Sequence, residues 1–163
     1  MKNSFLLVFL SLFLISCETT SKEEKINDFA IIIHGGAGTI LKKNMTDEKE
    51  AAYKAKLEEA IKVGYTILKN GGTSTEAVLK TIQVMEESPL FNAGKGAVFT
   101  NAGTNELDAS FMDGKTLNAG AVAGVKDVKS PIELAIKIMT DSEHVMLSGE
   151  GASTFAKEKG LEM

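Results

Sequence analysis

The order of local patterns along this chain predicts a layered α+β or α/β/α fold. Three observations carry that prediction. An apolar run leads into a glycine loop at residues 29–38, a hairpin signature occupies residues 106–125, and four segments with helical spacing or capping residues surround it. The 163 residues suit one ordinary domain. With 44% apolar and 25% charged residues the chain can build a core, which excludes wholesale disorder. Its 18 basic residues are all lysine and face 22 acidic ones, for a net charge of −4. A mildly acidic chain without arginine lacks the footprint of a nucleic-acid binder. It also lacks the usual bidentate clamp for a carboxylate or phosphate. One cysteine excludes an internal disulfide framework and a cysteine-based zinc site.

Residues 1–17 read as an address. Lys2 precedes an apolar stretch, Phe5 to Ile15, broken only by Ser11. Spanning a bilayer takes about 20 apolar residues, so this stretch fits a secretory h-region instead. Leu14-Ile15-Ser16-Cys17 resembles the bacterial lipobox, which makes Cys17 the lipidated first residue after cleavage. The alternative is an ordinary signal peptide with an incidental cysteine. Residues 18–28 are polar and read as a tether. The expectation is a lipoprotein at a bacterial membrane, in the periplasm or cell envelope, with its domain at residues 29–163. One acyl chain binds marginally, so stable anchoring takes more than one.

The elements follow in order. Phe29 to Ile33 is a continuous apolar run and reads as a strand buried on both faces. Thr46 to Asn70 has helical spacing, with Thr46 or Asp47 able to cap its start, Tyr53, Leu57, Ala60, Ile61, Gly64 and Leu68 on one stripe and Gly71-Gly72 as its stop. Thr73-Ser-Thr-Glu76 is a capping box that opens a second helix, with Val78, Ile82 and Met85 inward. Residues 88–100 form a loop rich in turn residues. Leu107, Ala109 and Phe111 alternate, Asp113-Gly114 is a turn pair, and residues 117–125 resume an extended run, so 106–125 read as a hairpin. Its glycine-rich face invites a further layer. Ser130-Pro131-Ile132-Glu133 combines an N-cap serine, a first-turn proline and an N3 glutamate. His144 to Leu147 is a short apolar piece, and residues 151–159 form a fourth helix. Few strands and an uncovered sheet face suggest the first part of something larger.

The chemistry-bearing residues are few. His34-Gly35-Gly36-Ala37-Gly38 suits an anion nest, an oxyanion loop or a plain tight turn. The oxyanion reading needs a Gly-x-Ser-x-Gly elbow, and the sequence contains none, which disfavours an esterase-like hydrolase. His34 and His144 are too few for a metal site without carboxylates, and a packing or supporting role suits each. Glu106, Asp108 and Asp113 each have a plain role: solvated, backbone-bonded and turn-forming. Residues 88–96, Ser-Pro-Leu-Phe-Asn-Ala-Gly-Lys-Gly, can turn tightly enough to aim carbonyl oxygens inward. Such a ring suits a hard cation, and Asn92 carries both a donor and an acceptor.

Six motifs in order resemble the plant-type L-asparaginase / isoaspartyl peptidase family of N-terminal nucleophile hydrolases. They are His34 to Gly38, Pro89 to Gly94, Glu106 to Ser110, Met112 to Gly114, Ala119 to Gly124 and Gly149 to Ala152. The glycosylasparaginases share only some of them. The resemblance implies an αββα sandwich, incomplete in this chain, and an α part that pairs with a β part from the same precursor. It implies a dimer of αβ units and small aspartyl substrates. It implies a threonine nucleophile freed by autocatalytic cleavage, which attacks a side-chain amide or isopeptide carbonyl. It assigns a structural sodium ion to main-chain carbonyls of Met85, Glu86, Ser88, Phe91, Ala93 and Lys95. It places Asn92 near the nucleophile and gives His34, Gly35 and Gly36 a supporting role. The family's Gly-Thr-Val-Gly nucleophile motif does not occur among these residues, so no catalytic nucleophile is assigned and the chain alone is expected to be inactive. A rival of another class is a non-catalytic lipoprotein that keeps the α-part core.

Overall fold

The structure, a computed structural model, describes residues 29–37 and 41–163. The address at 1–17 with Cys17, the tether at 18–28 and Gly38 lie outside the described residues. The fold is α+β, with four helices and a three-stranded sheet in the order β1-β2-β3 among the described residues. The elements are α1 (Asp47–Lys69), α2 (Ser74–Glu86), β1 (Leu107–Met112), β2 (Ala119–Val125), α3 (Pro131–Asp141), β3 (Met146–Ser148) and α4 (Gly149–Glu158).

The first two helices start where local chemistry dictates. The Thr46 hydroxyl accepts the Lys49 N–H at 3.2 Å, and the Thr73 hydroxyl accepts the Glu76 N–H at 3.1 Å. Each hydroxyl satisfies one of the donors that a helix start leaves open. The predicted stripe of α1 is its inner face, with Ala60 and Gly64 fully buried against α2. A Cβ at Gly64 would overlap Thr81 of α2 and Ile31, so glycine lets these backbones approach closely.

The expected strand at Phe29–Ile33 does not form. Among the described residues this run has no ladder partner and lies along α1 instead. Phe29 packs on Tyr65 with ring centroids 5.4 Å apart, Ile31 meets Gly64, and Gly35 meets Leu57. The segment therefore runs antiparallel to α1. Its odd positions are half-buried on the helix, while Ile32 on the opposite side is 92% exposed. Apolar character selected burial, but strand pairing needs a second backbone at hydrogen-bonding distance.

The hairpin forms as predicted, with β1 and β2 antiparallel. Its turn is tied by Asp113, whose carboxylate accepts the Lys115 N–H at 2.8 Å and the Thr116 hydroxyl at 3.0 Å. These bonds hold the Asp113 carboxyl below the usual aspartate range, the Lys115 N–H having the larger effect. Register slips once: Leu107 pairs with Val125, yet Ala109 pairs with Val122. Gly124 is the bulge residue at φ +66°, and the Asp108 carboxylate accepts its N–H at 2.8 Å. The extra residue reverses the side-chain alternation, so Val122 and Val125 both face the core.

Helix α3 lies on the hairpin. Leu134 and Ile138 join Val122, Val125 and α4's Ala152 and Ala156 in one cluster, while Ile132 and Ala135 join Phe111 and α2's Val78 and Ile82 in a second. Burying each large aliphatic side chain stabilises the fold by about 1.5–3 kcal/mol. Strand β3 pairs parallel with β2 after the α3 crossover. The expectation for the glycine face is corrected: a Cβ at Gly120 would overlap the Ala135 carbonyl oxygen, so this glycine already seats the chain's own α3. The uncovered face is the other one, bearing Ser110, Met112 and Met146. His144 is exposed rather than packed.

Candidate functional site

The loops that carry His34 and Asn92 are held by one face of α1, and Met85 and Glu86 end the helix α2 that leads into the second loop. The Phe91 ring is buried and meets Tyr53 edge-on, with centroids 5.8 Å apart. Leu57, one turn further along α1, touches Gly35 of the His34 loop; a Cβ there would lie 3.2 Å from both Leu57 methyls. Residues four apart on a helix are surface neighbours. Tyr53 and Leu57 thus bring the loops that carry His34 and Asn92 onto adjacent turns, although the two side chains make no hydrogen bond with each other. His34 is exposed, and its Nδ1 accepts the Gly36 N–H at 3.1 Å. Gly36 has φ +110°, a conformation that a side chain would strain, so the loop needs glycine there.

The second loop folds back on itself. The Asn92 side chain is exposed, and its Oδ1 accepts the Val98 N–H at 3.0 Å. That bond orients the amide so that its NH2 is the group able to donate outward. Ser88, 3% exposed, accepts the Leu90 N–H on its hydroxyl at 3.3 Å. Glycines 94 and 96 sit directly against main-chain carbonyls: a Cβ at Gly94 would overlap the Glu86 oxygen, and one at Gly96 would overlap the Phe91 oxygen. The Phe91 carbonyl accepts the Ala93 N–H at 2.8 Å, and the Met85 carbonyl accepts the Ser88 N–H at 3.1 Å. A carbonyl has two lone pairs, so one such bond leaves capacity for a hard cation. Of the six residues named for sodium, Glu86, Ser88 and Phe91 are buried, Met85 and Ala93 half-buried and Lys95 exposed.

A cleft of about 140 Å³ opens between this loop and the start of β1, lined in part by Asn92, Gly94, Ala97, Glu106 and Asp108. It places an amide beside two carboxylates. Glu106 is held by Lys126 at 3.1 Å, and Asp108 by the Gly124 N–H. Asp108 has the backbone-bonding role read from sequence, Glu106 is exposed but ion-paired rather than simply solvated, and the cleft pairs no nucleophile with a base.

Sequence reasoning missed three contributors. Asn105 closes the loop from the far side, its Nδ2 donating to the carbonyls of Ala97 at 2.7 Å and Val98 at 3.2 Å. Tyr53, which helical spacing places only on the inner stripe of α1, also seats the Phe91 ring. The third is the Glu86 side chain, 5% exposed at the end of α2. Its Oε2 accepts the Ser130 hydroxyl at 2.7 Å and its Oε1 accepts the Ile132 N–H at 2.9 Å. Ser130 is therefore not a self-contained cap for α3; a carboxylate from another helix takes the open N–H, and the serine hydroxyl serves that carboxylate. Burial pushes the Glu86 carboxyl above the ordinary glutamate range, against the pull of its two hydrogen bonds and with Glu133 adding in the upward direction. The available signal was a charged residue four positions after Ile82, on the apolar stripe of α2.

Comparison with known proteins completes the description of the site. A family model described as Asparaginase matches residues 27–163. An isoaspartyl peptidase of Salmonella typhimurium is 46% identical over 136 residues, which cover 83% of this chain and 44% of that protein. A plant-type L-asparaginase of Pyrococcus furiosus is 48% identical over 132 residues, covering 81% of this chain and 42% of its own length. An isoaspartyl peptidase/L-asparaginase of Xenopus laevis is 40% identical over 131 residues, covering 80% and 41%. The chain spans about two-fifths of the length of the curated relatives it matches.

Proposed function

The chain belongs to the asparaginase family, and on that premise we propose that it forms the α-part layer of an L-asparaginase / isoaspartyl (β-aspartyl) dipeptidase. In this reading residues 29–163 are one side of an αββα sandwich of the N-terminal nucleophile type. The reactive threonine comes from sequence beyond these residues, because no Gly-Thr-Val-Gly motif occurs among them. That threonine's hydroxyl attacks the side-chain amide or isopeptide carbonyl, its own α-amine takes the proton, and water hydrolyses the resulting acyl-enzyme.

The observation that supports this reading is the seating of the His34 and Asn92 loops on adjacent turns of α1. Two loops fixed on one rigid helix can support a nucleophile delivered from outside. Asn92 contributes an oriented amide, and the His34 loop contributes close-packed backbone. With no arginine in the chain, the grip on the substrate's α-carboxylate also comes from the complementary part.

The carbonyls of Met85, Glu86, Ser88, Phe91, Ala93 and Lys95 would hold a sodium ion. The crowding of carbonyls onto Gly94 and Gly96 is consistent with such a cradle. The ion would brace the loop that carries Asn92. Membrane attachment through Cys17 at the bacterial cell envelope and a dimer of αβ units belong to the same proposal. A Cys17→Ala form that still partitions with membranes would remove the anchor from it.

The test is complementation. The chain is mixed or co-expressed with a segment carrying the Gly-Thr-Val-Gly motif, and ammonia release from asparagine and aspartate release from a β-aspartyl dipeptide are followed. Activity is expected only from the pair. Ammonia release by the 163-residue chain alone would overturn the assignment.

A further inference from the structure

The Glu86 carboxylate stands at the junction of three parts of the molecule. It closes α2, caps α3 across a separation of 46 residues, and begins the loop that carries Asn92. Its surroundings form a connected set. Gln83 Nε2 donates to the Ser130 hydroxyl oxygen at 3.2 Å and to a Glu133 carboxylate oxygen at 3.2 Å, while Ser130 donates onward to Glu86. A buried carboxylate with two donors on it is strongly placed, because charge-assisted bonds are short and costly to break. The main chain of the same residue faces the other way: the Glu86 carbonyl oxygen lies against Gly94. One residue thus fixes α3 with its side chain and the floor of the loop with its backbone.

We propose that Glu86 is a positioning residue whose side-chain clamp on the α3 N-terminus holds the 88–98 loop, and with it the carbonyl cradle and the Asn92 amide, in place. The cation part of this statement rests on the proposed function; the loop part does not. Without the carboxylate, the end of α2 is free to pivot on Phe91, whose buried ring anchors the loop on α1. The Glu86 carbonyl would then leave Gly94.

Two readouts on the intact chain test this separately. The first is amide hydrogen exchange of residues 88–98 against that of β2 and α4. The second is the shift in melting temperature when choline chloride is replaced by sodium chloride at equal ionic strength. In Glu86→Leu, exchange at 88–98 is expected to rise about tenfold while β2 and α4 stay protected, matching the loss of one charge-assisted interaction. Glu86→Gln should restore most of the protection, since its carbonyl still accepts the Ile132 N–H and its NH2 can meet the Ser130 oxygen. Ser130→Ala, which removes the hydroxyl's bonds to Glu86 and from Gln83 but leaves the Ile132 N–H on the carboxylate and keeps the fold if Glu86→Leu does not, should raise loop exchange about threefold. The wild-type sodium shift should disappear in Glu86→Leu and return in Glu86→Gln. Loop exchange within twofold of wild type in both Glu86→Leu and Ser130→Ala would overturn the proposal, as would a uniform rise across β2 and α4. A wild-type chain indifferent to sodium would remove the cation reading and leave the exchange result to decide the clamp.

Discussion

Two regions of this molecule are held in different ways. The block of β1, β2, α3 and α4 closes one face of the sheet over a continuous core: Val125, Leu134, Ile138, Ala152 and Ala156 are each 0% exposed. The region of the two loops and the 29–37 segment is tethered at points. It rests on Phe29 against Tyr65, Gly35 against Leu57, Phe91 against Tyr53, and the Glu86 carboxylate on α3. Between those points Phe99 is 74% and Val98 64% exposed. The block supplies cohesion, and the tethered region carries the candidate site. Loops that carry function are drawn from the less densely packed part of a fold.

The largest effect expected from this contrast lies in the block. Ile138→Ala should cost about 2–5 kcal/mol, because it deletes buried methylenes where neighbours are already close-packed. Val98→Ser, equally apolar in the parent but exposed, should stay within about 0.5 kcal/mol. Urea unfolding of the two variants measures both. Similar losses would show that the regions share one core after all. Gly120→Ala comes next at about 1–3 kcal/mol, since its methyl would strike the Ala135 backbone on α3 and backbone retreats less readily than a side chain. A neutral Gly120→Ala would mean that α3 is free to lift off the sheet.

The contrast also explains what was legible in advance. The Thr46 and Thr73 caps, the Asp113 turn and the alternation of Leu107, Ala109 and Phe111 are local, and each appeared where the sequence implied. Features that depend on a distant partner were not readable. Phe29–Ile33 has strand composition but no ladder partner among the described residues, and it lies on α1. Ser130 carries the right residue type for a cap, yet its hydroxyl goes to Glu86, 44 residues earlier. The Gly124 bulge became visible only once Leu107 and Val125 were paired. In the candidate site the loops were recognisable by composition. What braces them, Tyr53, Asn105 and the Glu86 side chain, was not, because bracing is a long-range property.

Within the tethered region, single anchors should matter one at a time. Tyr53→Leu keeps apolar bulk on α1 and removes the edge-to-face contact with Phe91, worth about 0.5–1.5 kcal/mol. Its effect should concentrate in the 88–98 loop, read by exchange there against α4. An equal effect in α4 would mean that α1 is part of the closed block.

The smallest expected effect is electrostatic and sits on the block's surface. The Ser153 hydroxyl donates to Asp127 at 2.5 Å, and Lys157 lies 3.4 Å from the same carboxylate. The Ser153 bond first, and Lys157 after it, hold the Asp127 carboxyl below the usual aspartate range. A carboxyl lowered by folding binds its proton more weakly in the folded chain than in the unfolded one. Its stabilisation is therefore present above the unfolded value, about 3.9, and is lost as pH falls through the lowered folded value. Asp127 is open to solvent, so water and salt screen the contribution and the change in melting temperature should be slight. Ser153→Ala should flatten this acid limb of the melting profile by slightly lowering the neutral plateau, while leaving the acid end nearly unchanged. Because Ser153 lies on α4 and Asp127 follows β2, the flattening should appear without any change in loop exchange at 88–98. A coupled change in that loop would show that the closed block transmits strain to the tethered region, and the separation between the two would fail at its weakest link.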